Sequence, residues 1–352
     1  MKKMKVSILG HFGHGKELLN GQTVKTKIIA KAMVEALGEN EVCCIDTHGG
    51  LKVLMKAPFQ VLKAVMCSRN IVILPAHNGL RVYAPLLWLA HKCGARSSLH
   101  YVVIGGWLPE FLGKRPVLQR QLKDFAGIYV ETQSMKHALE KQGFTNILVM
   151  PNCKELPILS PEELVCHSQK PYKLCTFSRV MKEKGIEDAI NAVRSVNTLT
   201  GQTVYTLDIY GQIDSDQQDW FNELQRDFSD DICYKGIVPY DKSVLVLKDY
   251  FALLFPTYYA GEGFAGTLLD AMAAGLPVIA SDWRYNTEIV RDRVTGLLFP
   301  ARDHAALIEC LLYAQQNVLA WNEMRVQCVN EAQKYLPEKV LKAIVEKIET
   351  RE

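Results

Sequence analysis

The chain predicts an α/β protein built from two doubly wound domains. Three observations point there: short apolar runs alternate with helical patterns, the alternation restarts half-way along, and a proline-bearing stretch separates the two rounds. Continuous apolar strands joined through helices imply parallel sheets covered on both faces. At 352 residues, 48% hydrophobic and 22% charged, the chain is long enough for two domains of ordinary size.

The first round reads as strands KVSILG, EVCCID, IVILPA, LHYVVIG and GIYVET, with helices such as TVKTKIIAKAMVEAL between them. The second reads as KLCTFSRV, YTLDIYG, ICYKGIV, FALLFPT and PVIASD. The break falls in PNCKELPILSPEELVCHSQKPY, residues 151–172, which has four prolines and no clear strand. The expected division is a first domain over 1–155, a linker over 156–172, a second domain over 173–332, and a charged helical tail over 333–352 that packs back on the first domain.

The start, MKKMKVSILG, has basic residues before an apolar run. That run is only VSIL before Gly10, far short of a signal-peptide core, and reads as the first strand. No stretch approaches the roughly 18 apolar residues of a membrane span, so the expectation is a cytoplasmic protein. Ten scattered cysteines, with no C-x-x-C pair and no His at zinc spacing, read as buried thiols. The net charge of +3 is unevenly distributed: residues 1–160 hold 21 Lys and Arg against 10 Asp and Glu, the remainder 20 against 28. Such a split concerns partners, not fold.

In open α/β sheets ligands bind at the carboxyl ends of the strands. The loops to search are therefore residues 10–26, 179–185 and 258–266. The third, in AGEGFAGTLLDAMAAGLPVIASD, precedes a helix starting near Thr267. A helix start offers unpaired amides and positive potential, and Gly263 and Gly266 admit a charged group close to the backbone. Glu262 would repel phosphate, so it suits vicinal hydroxyls of a sugar; Asp270, a turn into the helix, suits a second diol such as a ribose. The same residues also suit a capped helix with a solvated acid at each end. The second loop adds Arg179 and Lys184, ending in Gly185 just after a strand, a planar fork and a compact charge that both fit a pyrophosphate.

These residues resemble a known family. SRVMKEKGIEDAI is similar to the Arg-x4-Lys-Gly segment of retaining glycosyltransferases of family four, and FPTYYAGEGFAGTLLDAMAAGLPVIASD to their Glu-x7-Glu segment. VETQSMKHALEKQGFTNILVMPN resembles the end of their first domain, and NTEIVRDRVTGLLFP the stretch after the second motif. NGQTVKT resembles members that build bacterial capsular polysaccharide, exopolysaccharide or lipopolysaccharide.

The resemblance implies the GT-B fold, two Rossmann-like domains facing across a cleft, the first for the acceptor and the second for a nucleotide-sugar donor. It implies a retaining, metal-independent hexosyltransferase with no cofactor, in which Arg179 and Lys184 hold the donor diphosphate and Glu262 the donor sugar. Gly263, Phe264, Ala265, Gly266, Thr267 and Asp270, with Gly211 and Val238 from neighbouring strand ends, would complete the donor side. Gly21 and Gln22 would lie near the acceptor.

Three positions depart from the family pattern: Asp270 stands for Glu, Ala265 is followed by Gly266 in the glycine turn, and Gly105 or Gly106 stands where the family often has a His. His100 precedes that strand and reads as structural; His77, ending another strand in LPAHNG, is the candidate on the acceptor side.

The expected partners are a nucleotide sugar, a glycan or lipid-linked acceptor, and an anionic membrane surface, with no nucleic acid. The membrane expectation rests on the charge split and on LKVLMKAPFQVLKAVMCSRN, residues 51–70, where Lys52, Lys56, Lys63 and Arg69 lie among apolar residues, supported by EFLGKRPVLQRQLK, residues 110–123. Alternatives are a sugar-nucleotide epimerase of the same fold and a non-catalytic sugar-nucleotide-binding protein.

Overall fold

The computed structural model describes residues 3–13, 21–50, 53 and 55–350. The chain divides into two compact units, residues 1–155 with 336–352, and residues 156–335.

Unit 1 carries a parallel sheet of six strands among the described residues: β1 (Met4–Gly10), β2 (Val42–Asp46), β3 (Ser68–Ile73), β4 (Ser98–Val102), β5 (Gly127–Val130) and β6 (Ile147–Val149), in the order β2-β1-β3-β4-β5-β6. Val6, Ile8, Ile71, Val72, Val102 and Ile128 are fully buried, as strands covered on both faces require. The segment after residue 335 packs into this unit, burying Val340, Leu341, Ile344 and Ile348 beside Val6, Ile8 and Met33. Asn70 Nδ2 also donates to the Ile348 carbonyl at 3.4 Å.

Unit 2 repeats the plan with β7 (Tyr172–Phe177), β8 (Tyr205–Tyr210), β9 (Ile232–Gly236), β10 (Ala252–Phe255), β11 (Val278–Ser281) and β12 (Gly296–Phe299), ordered β12-β11-β10-β7-β8-β9 and all parallel. The Ile186–Thr200 helix shows why such elements form. Ile186, Ala189, Ile190, Val193 and Val196 make one buried stripe, Glu187 and Asp188 sit in the first turn, and Gly201 in the left-handed region closes the end. Residues 156–171 pack on this unit: the Leu159 amide donates to Ala273 O at 3.0 Å, and the His167 amide donates to Asn322 Oδ1 at 3.1 Å.

The two-domain α/β fold predicted from sequence is the fold found. Two strands escaped that reading, β6 and β12. Both are edge strands of three and four residues, too short for a period-two pattern to declare itself. The cysteines also differ from expectation. All ten are free, but only Cys153, Cys175 and Cys328 are buried, while Cys44, Cys93, Cys166 and Cys233 are exposed.

Candidate functional site

In unit 2 the strand order reverses between β7 and β10, which are neighbours although β8 and β9 lie between them in the chain. Ligands of open α/β sheets settle at such a point, outside the carboxyl ends of the strands. The loops leaving β7 and β10 carry Arg179, Lys184 and Glu262.

Those loops are tied to each other and to their neighbours. The Tyr258 amide and the Thr257 hydroxyl both reach the Glu183 carbonyl, at 2.8 and 3.3 Å. On the other side, the Lys182 amide donates to Gln217 Oε1 at 2.7 Å, and Gln217 Nε2 returns to Glu183 Oε2 at 2.9 Å. The Thr257 carbonyl accepts from Ser281 Oγ at 2.6 Å, and the Tyr259 carbonyl from Trp283 Nε1 at 2.8 Å. Gly185 is required here: its φ is 72°, and a Cβ would overlap the Pro256 carbonyl oxygen.

Lys184 is buried, and its Nζ lies 2.5 Å from Glu262 Oε2. The same oxygen accepts from Thr257 Oγ1 at 3.0 Å. An ammonium has three donors, and Glu262 is its one acceptor among the described residues; the rings of Tyr259 and Phe255 lie 5.3 and 5.5 Å from Nζ. Arg179 is half-exposed. It meets Asp214 Oδ2 at 3.2 Å and lies 5.5 Å from the Tyr259 ring. An ion pair this open is worth about 0–1 kcal/mol, so the guanidinium is readily redirected to a ligand.

Beyond Glu262, the Gly266–Ala273 helix begins without a side-chain cap. Thr267 Oγ1, in its first turn, is buried with no hydrogen-bond partner among the described residues. Gly263 and Ala265 are buried in the turn, whereas the Phe264 ring packs edge-on against Tyr335 at 5.2 Å, leaving that residue only its backbone for a ligand. Asp270 is 3% exposed and accepts from Ser243 Oγ at 2.9 Å. Gly211 follows β8 with φ 137°, where a Cβ would overlap the Ser178 carbonyl oxygen, and Val238 is half-buried after β9.

Sequence reasoning missed Ser243, Asp214 and Tyr259 as partners of these residues: Ser243 and Asp214 lie 27 and 35 positions from Asp270 and Arg179, and Tyr259 bears no motif. Thr257 was visible in FPT at the end of its strand but carried no distinguishing signal.

Unit 1 holds the acceptor-side candidates. Gly21 opens the Gly21–Leu37 helix, and Gln22 Nε2 donates to the Leu74 carbonyl at 3.2 Å. His77 opens the His77–Lys92 helix with its ring 3.9 Å from that of Trp107. Burial and the Arg115 charge lower its pKa. Gln22 and His77 line a cavity of 810 Å³ together with His11, which the sequence reading passed over.

His100 is buried inside β4, contacting Tyr129 OH at 3.2 Å and Asn70 Oδ1 at 3.4 Å. Gly105 instead donates its amide to Glu131 Oε2 at 3.2 Å, and Glu131 is held by buried Lys25 at 2.5 Å. Residues 14–20 of the first loop and Lys52 of the basic segment lie outside the described residues.

Residues 166–335 match the model for glycosyl transferases group 1. Among curated proteins, the chain is 24% identical over 223 residues to the amylovoran biosynthesis glycosyltransferase AmsK of Erwinia amylovora, covering 58% of this chain and 53% of that one. It is 29% identical over 225 residues to the GtfA subunit of the UDP-N-acetylglucosamine–peptide N-acetylglucosaminyltransferase of Streptococcus pneumoniae serotype 4, covering 60% and 42%. The chain thus spans about half or less of these relatives' length.

Among solved structures, HepE of Anabaena in complex with UDP superposes with a TM-score of 0.75 at 16% identity, covering 99% of this chain and 100% of that one. The pneumococcal O-GlcNAc transferase GtfA in complex with UDP and GlcNAc gives 0.62 at 20% identity, covering 83% and 59%. At these identities the likeness is one of fold, and the fold is GT-B.

Proposed function

We propose, on the match of residues 166–335 to the model for glycosyl transferases group 1, that the protein moves a hexose from a nucleotide-diphosphate donor to a glycan or lipid-linked acceptor in bacterial surface polysaccharide synthesis. One observation carries the reading: at the switch point of unit 2, a half-exposed arginine and a buried lysine stand on the loop beside the glycine turn that leads into an uncapped helix. Arg179 and the unengaged donors of Lys184 take the diphosphate, with the helix amides and the Thr267 hydroxyl completing the cradle. Glu262 holds the lysine through Oε2 and offers Oε1 to a sugar hydroxyl. Asp270, with Ser243, stands for the ribose. UDP in the HepE and GtfA structures supports a nucleotide diphosphate as the ligand class.

The proposed step retains configuration and needs no metal or cofactor. The bond from sugar C1 to the diphosphate oxygen breaks, and its electron pair leaves on that oxygen. The acceptor oxygen bonds to C1 on the same face, and its proton passes to the departing phosphate. Cations and helix amides stabilise the charge that develops there. The test is a donor-consumption assay with and without acceptor. Consumption only with acceptor supports transfer; product formed from donor alone would mean epimerisation, and binding without turnover would mean a binding protein.

We further propose that the protein works on the anionic inner face of the cytoplasmic membrane. No helix among the described residues is long and apolar enough to cross a membrane. However, the Ala57–Cys67 helix buries Ala57, Val61 and Ala64 and turns Phe59, Leu62 and Met66 outward, with Met55 just before it; these four are 76%, 56%, 65% and 76% exposed. Lys56 and Lys63 flank that stripe. An apolar face edged with lysines suits insertion at an anionic interface.

A further inference from the structure

Unit 1 also has a switch point, between β1 and β3, which are adjacent although β2 lies between them in the chain. The 810 Å³ cavity lies there. Its wall comes from His11 after β1, Thr47, Gly49 and Gly50 after β2, and the Pro75–Gly79 stretch with Arg81 after β3. It therefore occupies in unit 1 the topological position that the candidate donor site occupies in unit 2.

The wall has a one-sided chemistry. Its described lining residues include an arginine, two histidines, Gln22 and Asn78, and no carboxylate. The bias extends along the chain: residues 47–109 hold seven Lys and Arg and no Asp or Glu. The His77–Lys92 helix opens in this wall, has no side-chain cap, and adds first-turn amides and the positive end of its dipole.

His77 packs against Trp107 at 3.9 Å and Phe111 at 5.2 Å between ring centres, and these two rings set its orientation. His11 is fixed through both ring nitrogens, by Thr23 Oγ1 at 2.7 Å and His48 Nδ1 at 2.6 Å. Asp46, at the end of β2, is not among the described lining residues, and its Oδ1 accepts the amides of Phe12 and His48 at 2.9 and 2.8 Å.

We propose that this cavity binds a phosphate-bearing group, with Arg81, His77 and the start of its helix as the binding elements, and that the group is the anionic part of the acceptor. The word acceptor rests on the transfer reading; the binding of an anion does not. Among the described lining residues a hydroxyl-rich neutral sugar finds no carboxylate to accept its donors, whereas a phosphate finds a guanidinium, the His77 imidazole and helix amides, all donors. The volume leaves room for the sugar or diphosphate chain that carries the phosphate.

The test uses the full chain with labelled histidines, followed by NMR of the imidazole signals. Sodium pyrophosphate is titrated with UDP already at saturation, so that the candidate donor site is filled. The expected result is saturable movement of the His77 and His11 signals and a rise in the pH midpoint of His77, since an anion favours the imidazolium. Arg81→Glu should weaken pyrophosphate binding by roughly tenfold or more, the value of one charge-assisted bond, and leave UDP binding unchanged.

Arg179→Ala should give the same pyrophosphate titration as the wild type, which keeps this proposal separate from the donor assignment. Phosphatidylcholine vesicles with and without phosphatidic acid distinguish the sources: a response to the acidic vesicles assigns the phosphate to a lipid head group, a response to pyrophosphate alone to a soluble acceptor. Histidine signals that ignore pyrophosphate, or that respond only when UDP is absent, would overturn the proposal.

Discussion

Lys184 and Glu262, 78 positions apart in the chain, meet at 2.5 Å in the interior of unit 2, with 10% and 8% of their side chains exposed. Sequence reasoning gave the lysine to the donor phosphates and the glutamate to the donor sugar. The structure joins them to each other, so each holds the other's side chain in place for the proposed roles.

Breaking that pair from one side should be costly. Glu262→Ala leaves a buried ammonium uncompensated and should destabilise unit 2 by about 3–5 kcal/mol, whereas replacing both partners with apolar residues should cost much less. Glu262→Gln keeps the shape and should lower turnover while the nucleotide diphosphate still binds. Urea unfolding of the single and double variants measures the first; equal losses in both would mean that the pair is not desolvated as described.

Arg179 gives the opposite case. Half-exposed and weakly paired with Asp214, it contributes little to folding. Arg179→Ala should leave the melting temperature near that of the wild type but lower kcat/KM by an amount on the order of 1.5–3 kcal/mol in transition-state stabilisation. A folded variant that consumes donor at the wild-type rate would remove Arg179 from the site.

His167 should make unit 2 sensitive to acid. Burial first, and then the Arg325 charge, lower its pKa from 6.5 to about 4, so the folded state favours the neutral ring. The unfolded chain takes up a proton below about pH 6.5. Stability contributed by this group is therefore complete above that pH and is lost as pH falls toward 4. His167→Gln keeps the backbone bonds to Asn322 and should flatten the profile between those limits. Parallel profiles for wild type and variant, measured by urea midpoint against pH, would show that the ring is not desolvated.

Membrane contact is tested by liposome flotation. Binding should require anionic lipid, weaken as salt rises, and fall when Lys56 and Lys63 become Glu, each basic residue being worth roughly 1 kcal/mol at such a surface. Phe59→Ser should weaken it further by removing exposed apolar area. Indifference to anionic lipid at low salt would rule the surface out and favour a soluble acceptor.

The sequence alone determined the fold class, because a strand buried on both faces must be apolar throughout, and that pattern is local. KVSILG and FALLFPT could be read without knowing their neighbours. It also put Arg179, Lys184 and Glu262 on strand-end loops, since strand ends and glycine turns are local features too. Tertiary structure decided what the side chains touch. Strand order is set by packing across the whole sheet, and it alone made β7 and β10 neighbours and brought Lys184 to Glu262. The same kind of long-range pairing set Asp270 against Ser243 and closed the cavity of unit 1 from the ends of β1, β2 and β3. Exposure was likewise beyond the sequence: Phe59 and Val61 are two apolar residues of one helix, and only the sheet packed against it determines that Val61 is buried and Phe59 faces outward.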